Sequence, residues 1–532
     1  MNEVYLSSFR GGNDMETFRN AAEYLRNTPG TTLIVEPGTY VLQDDKAKQL
    51  QRDVMAGKLT KNPEPIMFNR NFDYVIGIDL RGAKNVTIEG SGAVLIFDGF
   101  MENISVQYCE NVTIRDLTID LVRKAFSKGT VINTGEGFAD ADFGALPLLS
   151  EDMPTYRINV YSTLERRYTA VSGADKVEFL SEGKYRLHGL RGGNIGDEIY
   201  LTHTFHYRPS ILIYEAKNTL ISDVTIHSHC GMGIVGHRSE NILLERLKIV
   251  PSIGDAMSTN TDATHFTSCT GLLRFEGCHF DGQGDDATNV HTYYHTIIEK
   301  DKNKCVVTVN APTGTHAQKL DYFDVGDTVE LSGIEDLTPI KTYKVLESKP
   351  LFDEWKCELT LDGNLPDELD EYYLADSTRL PRLEFLNCFV RNHLARSVLV
   401  KTRNVLIQGC SFESNTGTAI HIGAEGLWHE GVTAENVVIR SNRMINCGKQ
   451  GHGRILDAGG VSINILALSP ELPAHKNILI ENNIIDCPDC KYGILAQNVD
   501  GLTIRGNDIR SAEENIVVNT CINVDVQQNS SC

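Results

Sequence analysis

A chain of 532 residues with 41% hydrophobic content can bury a large core, and its formal charge of −21 gives it a strongly acidic surface. Nucleic acid, anionic membranes and polyanionic substrates are normally met by basic patches, so the balance points to a neutral or cationic ligand. The sequence holds no run of the roughly 20 apolar residues that a membrane span needs.

In chain order, the start (Met1-Asn2-Glu3-Val4-Tyr5) carries no charged and apolar leader. The expectation is either a cytoplasmic protein or a secreted, periplasmic or cell-surface protein after signal removal. Thirteen cysteines without a paired Cys-x-x-Cys spacing do not decide between them; Cys487-Pro488-Asp489-Cys490 reads as a turn. Phe18, Ala21, Ala22, Tyr24 and Leu25 at helical spacing predict a helix. Strands follow over Thr32-Leu33-Ile34-Val35 and Thr39-Tyr40-Val41-Leu42. A cap helix, a strand and a Pro-Gly-Thr-Tyr turn resemble the start of right-handed parallel β-helices, whose first coil would otherwise expose an apolar end and open strand edges.

A repeat comes next. Asn85-Val86-Thr87-Ile88, Asn111-Val112-Thr113-Ile114, Asn218-Thr219-Leu220-Ile221, Asn241-Ile242-Leu243-Leu244, Asn404-Val405-Leu406-Ile407, Asn436-Val437-Val438-Ile439 and Asn477-Ile478-Leu479-Ile480 share one pattern. Neighbours are spaced 111 − 85 = 26 and 241 − 218 = 23 residues apart. Self-similarity at such a period marks a solenoid, and strand-like alternation without helices selects a parallel β-helix. Asparagine at each head suits a left-handed bend and would let amides pair between stacked coils. Cys278, Cys388 and Cys410 occupy equivalent places and read as a column of small buried thiols.

Two stretches break the repeat, and both read as short alternating strands with turn residues between them. The expected fold is all-β: a parallel β-helix with an N-terminal cap helix and two inserted antiparallel β-barrel-like domains. The expected boundaries are 1–126 for the cap and first coils, 127–208 for the first insert and 209–296 for the coils with the active site. The second insert is expected over 297–378 and the C-terminal coils over 379–532. The inserts bracket an acidic cluster and could wall a site or support a homodimer.

That cluster is Asn260-Thr261-Asp262 and Gly282-Gln283-Gly284-Asp285-Asp286. Asp262 and Asp285 are 285 − 262 = 23 residues apart, one coil, so Asp262 should lie beneath the adjacent pair. A regular strand would send Asp285 and Asp286 to opposite faces; the glycines before them suggest a turn or bulge that turns both to one groove. Three carboxylates that close should raise at least one pKa, as a general acid near neutral pH requires. A calcium site also gathers oxygen ligands, but the strand phase places His237, His291 and Lys401 in an exposed column beside the acids, with Asn289 outward too. This favours catalysis without a metal. His237, Asn260, Asn289, His291 and Lys401 are the candidate substrate contacts.

The acidic motifs resemble those of polygalacturonase-type β-helix glycosidases. Those families also carry a Gly-His-Gly soon after the pair and an Arg-x-Lys beyond it; the only Gly451-His452-Gly453 here lies far downstream. Asn260-Thr261-Asp262-Ala263-Thr264-His265 with Gly282-Gln283-Gly284-Asp285-Asp286-Ala287-Thr288-Asn289 is more similar to glycoside hydrolase family 110. These α-1,3-galactosidases remove terminal galactose from blood-group B and related glycans. The resemblance implies inverting exo-hydrolysis of a glycan with terminal α-galactose and no cofactor. Asp285 would be the general acid, while Asp262 and Asp286 would hold and deprotonate the water. The competing readings are another β-helix glycosidase, a calcium-dependent lyase on an acidic polysaccharide, and a non-catalytic carbohydrate-binding or adhesin β-helix.

Overall fold

The computed structural model describes residues 2–67, 71–309, 319–368, 371–449 and 458–530. Gly451-His452-Gly453 lies outside them.

The N-terminal helix, Asp14–Asn27, begins where the Asn13 side chain accepts the Glu16 amide. It buries Met15, Phe18, Ala21, Ala22 and Leu25 over the first coil. A second helix, Asp45–Met55, capped by Asp44 and buried through Ala47, Val54 and Met55, was not anticipated. Its sequence is largely polar, so its short apolar stripe carries a weak periodic signal. No helix among the described residues is long and apolar enough to cross a membrane.

The coils stack in parallel register. Val112 faces Val86, Thr219 faces Val112 and Ile242 faces Thr219, which places each Asn cassette directly over the previous one. Asn85, Asn111, Asn218 and Asn241 all adopt left-handed backbone, with φ between 54° and 56°. Their amides form a ladder: Asn111 donates to Asn85 at 2.7 Å, Asn218 to Asn111 at 2.8 Å and Asn241 to Asn218 at 3.0 Å. Asparagine tolerates this conformation better than most residues, and the ladder satisfies its polar end. Inside the coils Phe266, Val290, Val400, Ile422 and Ile463 form one apolar column. Cys278, Cys388 and Cys410 are buried free thiols, as the column reading expected.

The chain leaves the solenoid twice. Between stacked strands Glu110–Leu121 and Lys217–Ile226 it forms a seven-stranded antiparallel sheet, from Phe126–Gly135 to Glu198–Thr202, around its own core of Ile158, Val160, Leu187 and Leu201. The second excursion begins without a break: one strand, Thr288–Asp301, is parallel to the coils at Thr288–Val290 and antiparallel to Tyr372–Asp376 from Tyr294 onward. Six strands then close on one another, the last pairing back with the first, to make an antiparallel barrel.

Candidate active site

The acids sit on the bends that precede the strands Thr264–Thr267 and Thr288–Asp301, where strand alternation does not apply. The pairing Thr264–Thr288–Val398 places Asp262, Asp286 and Arg396 at one position of three successive coils. Backbone bonds confirm it: Ala263 N donates to Asp286 O and Ala287 N to Arg396 O. Asp262 thus stacks on Asp286 rather than on Asp285. Gly284 is needed here because a Cβ would come within 2.1 Å of Asn260 O, so only glycine lets these two bends meet.

One carboxylate oxygen from each of Asp262, Asp285 and Asp286 lies within 4.8 Å of the others. Asp285 is the outermost, its side chain 20% exposed against 7% for Asp262 and 6% for Asp286. Each has a cationic or imidazole partner. The Arg157 guanidinium, from the first insert, stands 3.6 Å from Asp285 Oδ2 and 3.9 Å from the Phe205 ring centre. Asp262 Oδ2 meets His265 Nδ1 at 2.9 Å. Asp286 accepts three bonds from Arg396: main-chain N at 2.7 Å, Nε at 3.3 Å and Nη2 at 3.1 Å. Burial raises the pKa of Asp262, with His265 opposing and Asp285 adding to the rise. Burial also raises Asp286, against Arg396 and with the help of Asp285 and Asp262.

A buried charge network continues from Arg396. It donates through Nη1 to Glu425, and Lys401 Nζ lies 3.0 Å from Glu425 Oε2 and 2.6 Å from Glu430 Oε2. Asn289 donates to Glu430 at 2.9 Å and accepts from Lys401 at 3.2 Å. Burial works to raise Glu425, but Arg396 and Lys401 hold it down at about 2. Burial works to lower Lys401, but the two glutamates hold it above its ordinary value.

The exposed column expected from strand phase is corrected here. The outward phase of His237, His291, Asn289 and Lys401 is as expected, yet all four are buried. Two coverings account for this. The short strand Glu430–Gly431 pairs antiparallel with Thr292 and Tyr293 and roofs the column. Asp321 of the second barrel lies 2.9 Å from His237 Nε2 and 3.4 Å from His295. His237 therefore latches the barrel to the coil. Asn260 is buried, and its amide donates to Thr204 O at 2.8 Å and Ala125 O at 3.2 Å, tying the acidic bend to both ends of the first insert. His291 and Asn289 remain beside the site, through His265 and Glu430 respectively.

Arg157, Arg396, Glu425 and Glu430 were not singled out from sequence, and His265 entered only as the last residue of the Asn260–His265 motif. Arg396 had a signal, since stepping two residues back from Val398 gives the position of Asp286 one coil on. Arg157 had none, because it arrives from an insert 128 residues upstream of Asp285.

No protein-family model matches the chain. It is 27% identical to alpha-1,3-galactosidase A of Bacteroides fragilis over 479 residues, 82% of this chain and 76% of that protein. Alpha-1,3-galactosidase A of Bacteroides thetaiotaomicron is 24% identical over 552 residues, 94% of this chain and 90% of that protein. Among solved structures, the A-module of a mannuronan C-5 epimerase from Azotobacter vinelandii is 11% identical with a TM-score of 0.45, covering 99% of this chain and 100% of that one. A family 28 exopolygalacturonase from Yersinia enterocolitica is 10% identical with a TM-score of 0.39, covering 99% and 78%. The chain is a parallel β-helix glycoside hydrolase and a homologue of the alpha-1,3-galactosidases.

Proposed function

We propose that the chain is an exo-acting α-1,3-galactosidase that removes terminal galactose from blood-group B-type or linear α-galactosyl glycans. The observation that carries the mechanism is the convergence of Asp262, Asp285 and Asp286 with graded exposure. A terminal sugar enters first and the rest of the glycan trails toward solvent, so the leaving oxygen faces the outermost acid. Asp285 donates its proton to that oxygen as the C1–O bond breaks. Water held by Asp262 and Asp286 adds to C1 and gives up its proton to one of them. A raised pKa makes each buried carboxylate a stronger base wherever it is ionised, and the three Arg396 donors favour the ionised form of Asp286.

Inversion rests on the family likeness and not on spacing. The nearest oxygens, within 4.8 Å, are closer than the roughly 6.5–9.5 Å general for inverting acid–base pairs. A divalent cation is disfavoured by Arg157 and Arg396, which already place positive charge against two of the three acids.

The test is turnover of an α-1,3-galactobiose and of 4-nitrophenyl α-galactoside by wild type, Asp285→Asn and Asp286→Asn. Loss of a general acid costs about 10²–10⁴-fold, and for Asp285→Asn it should be smaller on the activated aryl substrate, which needs little protonation. Unchanged turnover in both variants would refute the site. Proton NMR of the first-formed anomer tests inversion separately.

A further inference from the structure

We propose that His265 is a positioning and proton-holding residue for Asp262, sharing one hydrogen with its carboxyl group so that Asp262 stays available as the base. This rests on the hydrolase reading above and adds to it a residue with a defined task.

The geometry is a buried relay. His265 Nδ1 is 2.9 Å from Asp262 Oδ2, its Nε2 is 2.7 Å from His291 Nε2, and His291 Nδ1 is 2.8 Å from Thr292 O. A carbonyl oxygen only accepts, so His291 Nδ1 carries a hydrogen and donates it. Burial holds His291 neutral, its pKa lowered to about 3, so its Nε2 is an acceptor. His265 Nε2 must then be the donor in the 2.7 Å contact. With His291 neutral, a hydrogen therefore sits on His265 Nε2, while the Thr267 hydroxyl is a second polar neighbour of His291 Nε2 at 3.3 Å. The hydrogen between His265 Nδ1 and Asp262 Oδ2 has two places: on the carboxyl it leaves both groups neutral, and on the ring it leaves an imidazolium facing a carboxylate.

That choice matters for the chemistry. Burial and Asp285 favour the protonated form of Asp262, in which it is useless as a base. Passing the hydrogen to His265 Nδ1 frees the carboxylate without moving a proton to solvent. As water adds to C1, its O–H bond breaks and the proton goes to Asp262 Oδ1. The Asp262–His265 pair then holds one proton more than at rest, and Asp285 holds one fewer, so the charge of the site is unchanged.

The surroundings suit this. On the acid side stand Asp262, Asp285 and His206; on the other side stand His291, Glu430 and Lys401. Neutral Val235 and Asn289 flank His265 on the neighbouring strands. Glu430, held ionised by Lys401, offers negative charge to an imidazolium at His265.

The experiment compares wild type with His265→Asn, whose amide retains a donor near the Nδ1 position but neither titrates nor reaches His291. With both substrates, kcat and KM are measured from about pH 4 to about pH 9, on either side of the imidazole range. We expect kcat to fall about 10²-fold with KM nearly constant, equally on the natural and aryl substrates, in contrast to Asp285→Asn. The low-pH limb should move upward, because Asp262 must then ionise alone. A loss uniform across pH, or no loss, overturns the proposal. Inactivity of the wild type on both galactosides would instead overturn the parent reading. If the variant does not melt like wild type, ¹⁵N-histidine spectra of the unaltered enzyme decide: His265 should carry its hydrogen on Nε2, and a neutral Nδ1–H tautomer refutes the relay.

Discussion

Replacing Arg396 by methionine keeps much of the side-chain volume and removes the guanidinium. Two bonds to Asp286, one to Glu425 and the 3.3 Å contact to His421 Nδ1 disappear, while the main-chain donor to Asp286 at 2.7 Å and the Lys401 contact to Glu425 at 3.0 Å remain. Charge-assisted bonds contribute about 1.5–3 kcal/mol each, and breaking a buried pair by removing one partner costs about 3–5 kcal/mol. The surviving contacts favour the lower figure, so we expect destabilisation of about 3–5 kcal/mol. The sign of its pH dependence follows from Asp286. Its folded pKa, already above the unfolded value, rises further in the variant. The penalty is therefore full above that raised pKa and fades as pH falls to the wild-type folded value, below which Asp286 is protonated in both folded proteins. Urea unfolding at about pH 8 and about pH 5 measures this, with two optical probes compared to establish a single transition. A loss under about 1 kcal/mol, the level of an exposed pair, or a loss equal at both pH values, would refute the account.

Three further outcomes follow. Gly284→Ala places a methyl group 2.1 Å from Asn260 O, so the bend must shift and activity should fall at least about tenfold, as misplacement of about 1 Å does in active sites; steady-state kinetics on a folded sample checks it. Asn218→Ala puts alanine at φ 56° and removes two ladder bonds, which should destabilise by about 1–2 kcal/mol for the backbone alone, read as a lowered urea midpoint. Exhaustive chelation should leave hydrolysis intact, since arginines balance two of the three acids; loss of activity restored by calcium would favour the lyase reading.

The solenoid was legible because its signals are local and repeated. An asparagine with a left-handed backbone and a neighbour of the same kind one coil away announces both the bend and the stacking. The acids were legible for the same reason, since a one-coil gap converts sequence distance into contact. Asp262 falls beneath Asp286 instead of Asp285 because the strands pair at an interval of 288 − 264 = 24 residues. What strand phase could not reveal was cover. His237, His291 and Lys401 point outward from the coil, but Asp321 and Glu430 come from elsewhere in the chain to bury them. Arg157 was hidden for the same reason, supplied by a separate sheet to a site it shares no repeat with.

The strand Thr288–Asp301 belongs to two bodies at once. Its first residues carry Asn289 and His291 beside the acids, and its last ones are a stave of the second barrel. Force applied to that barrel therefore travels along continuous hydrogen-bonded backbone into the site, whereas the first insert reaches the acids through side-chain contacts, Arg157 beside Asp285, His206 near Asp262 and the Asn260 amide bonds at its two ends. The two excursions differ as a beam built into a wall differs from a hand resting on it. Trimming the second barrel should loosen the column of His291, while the first insert offers Arg157 as a contact that can be altered without unpicking a coil.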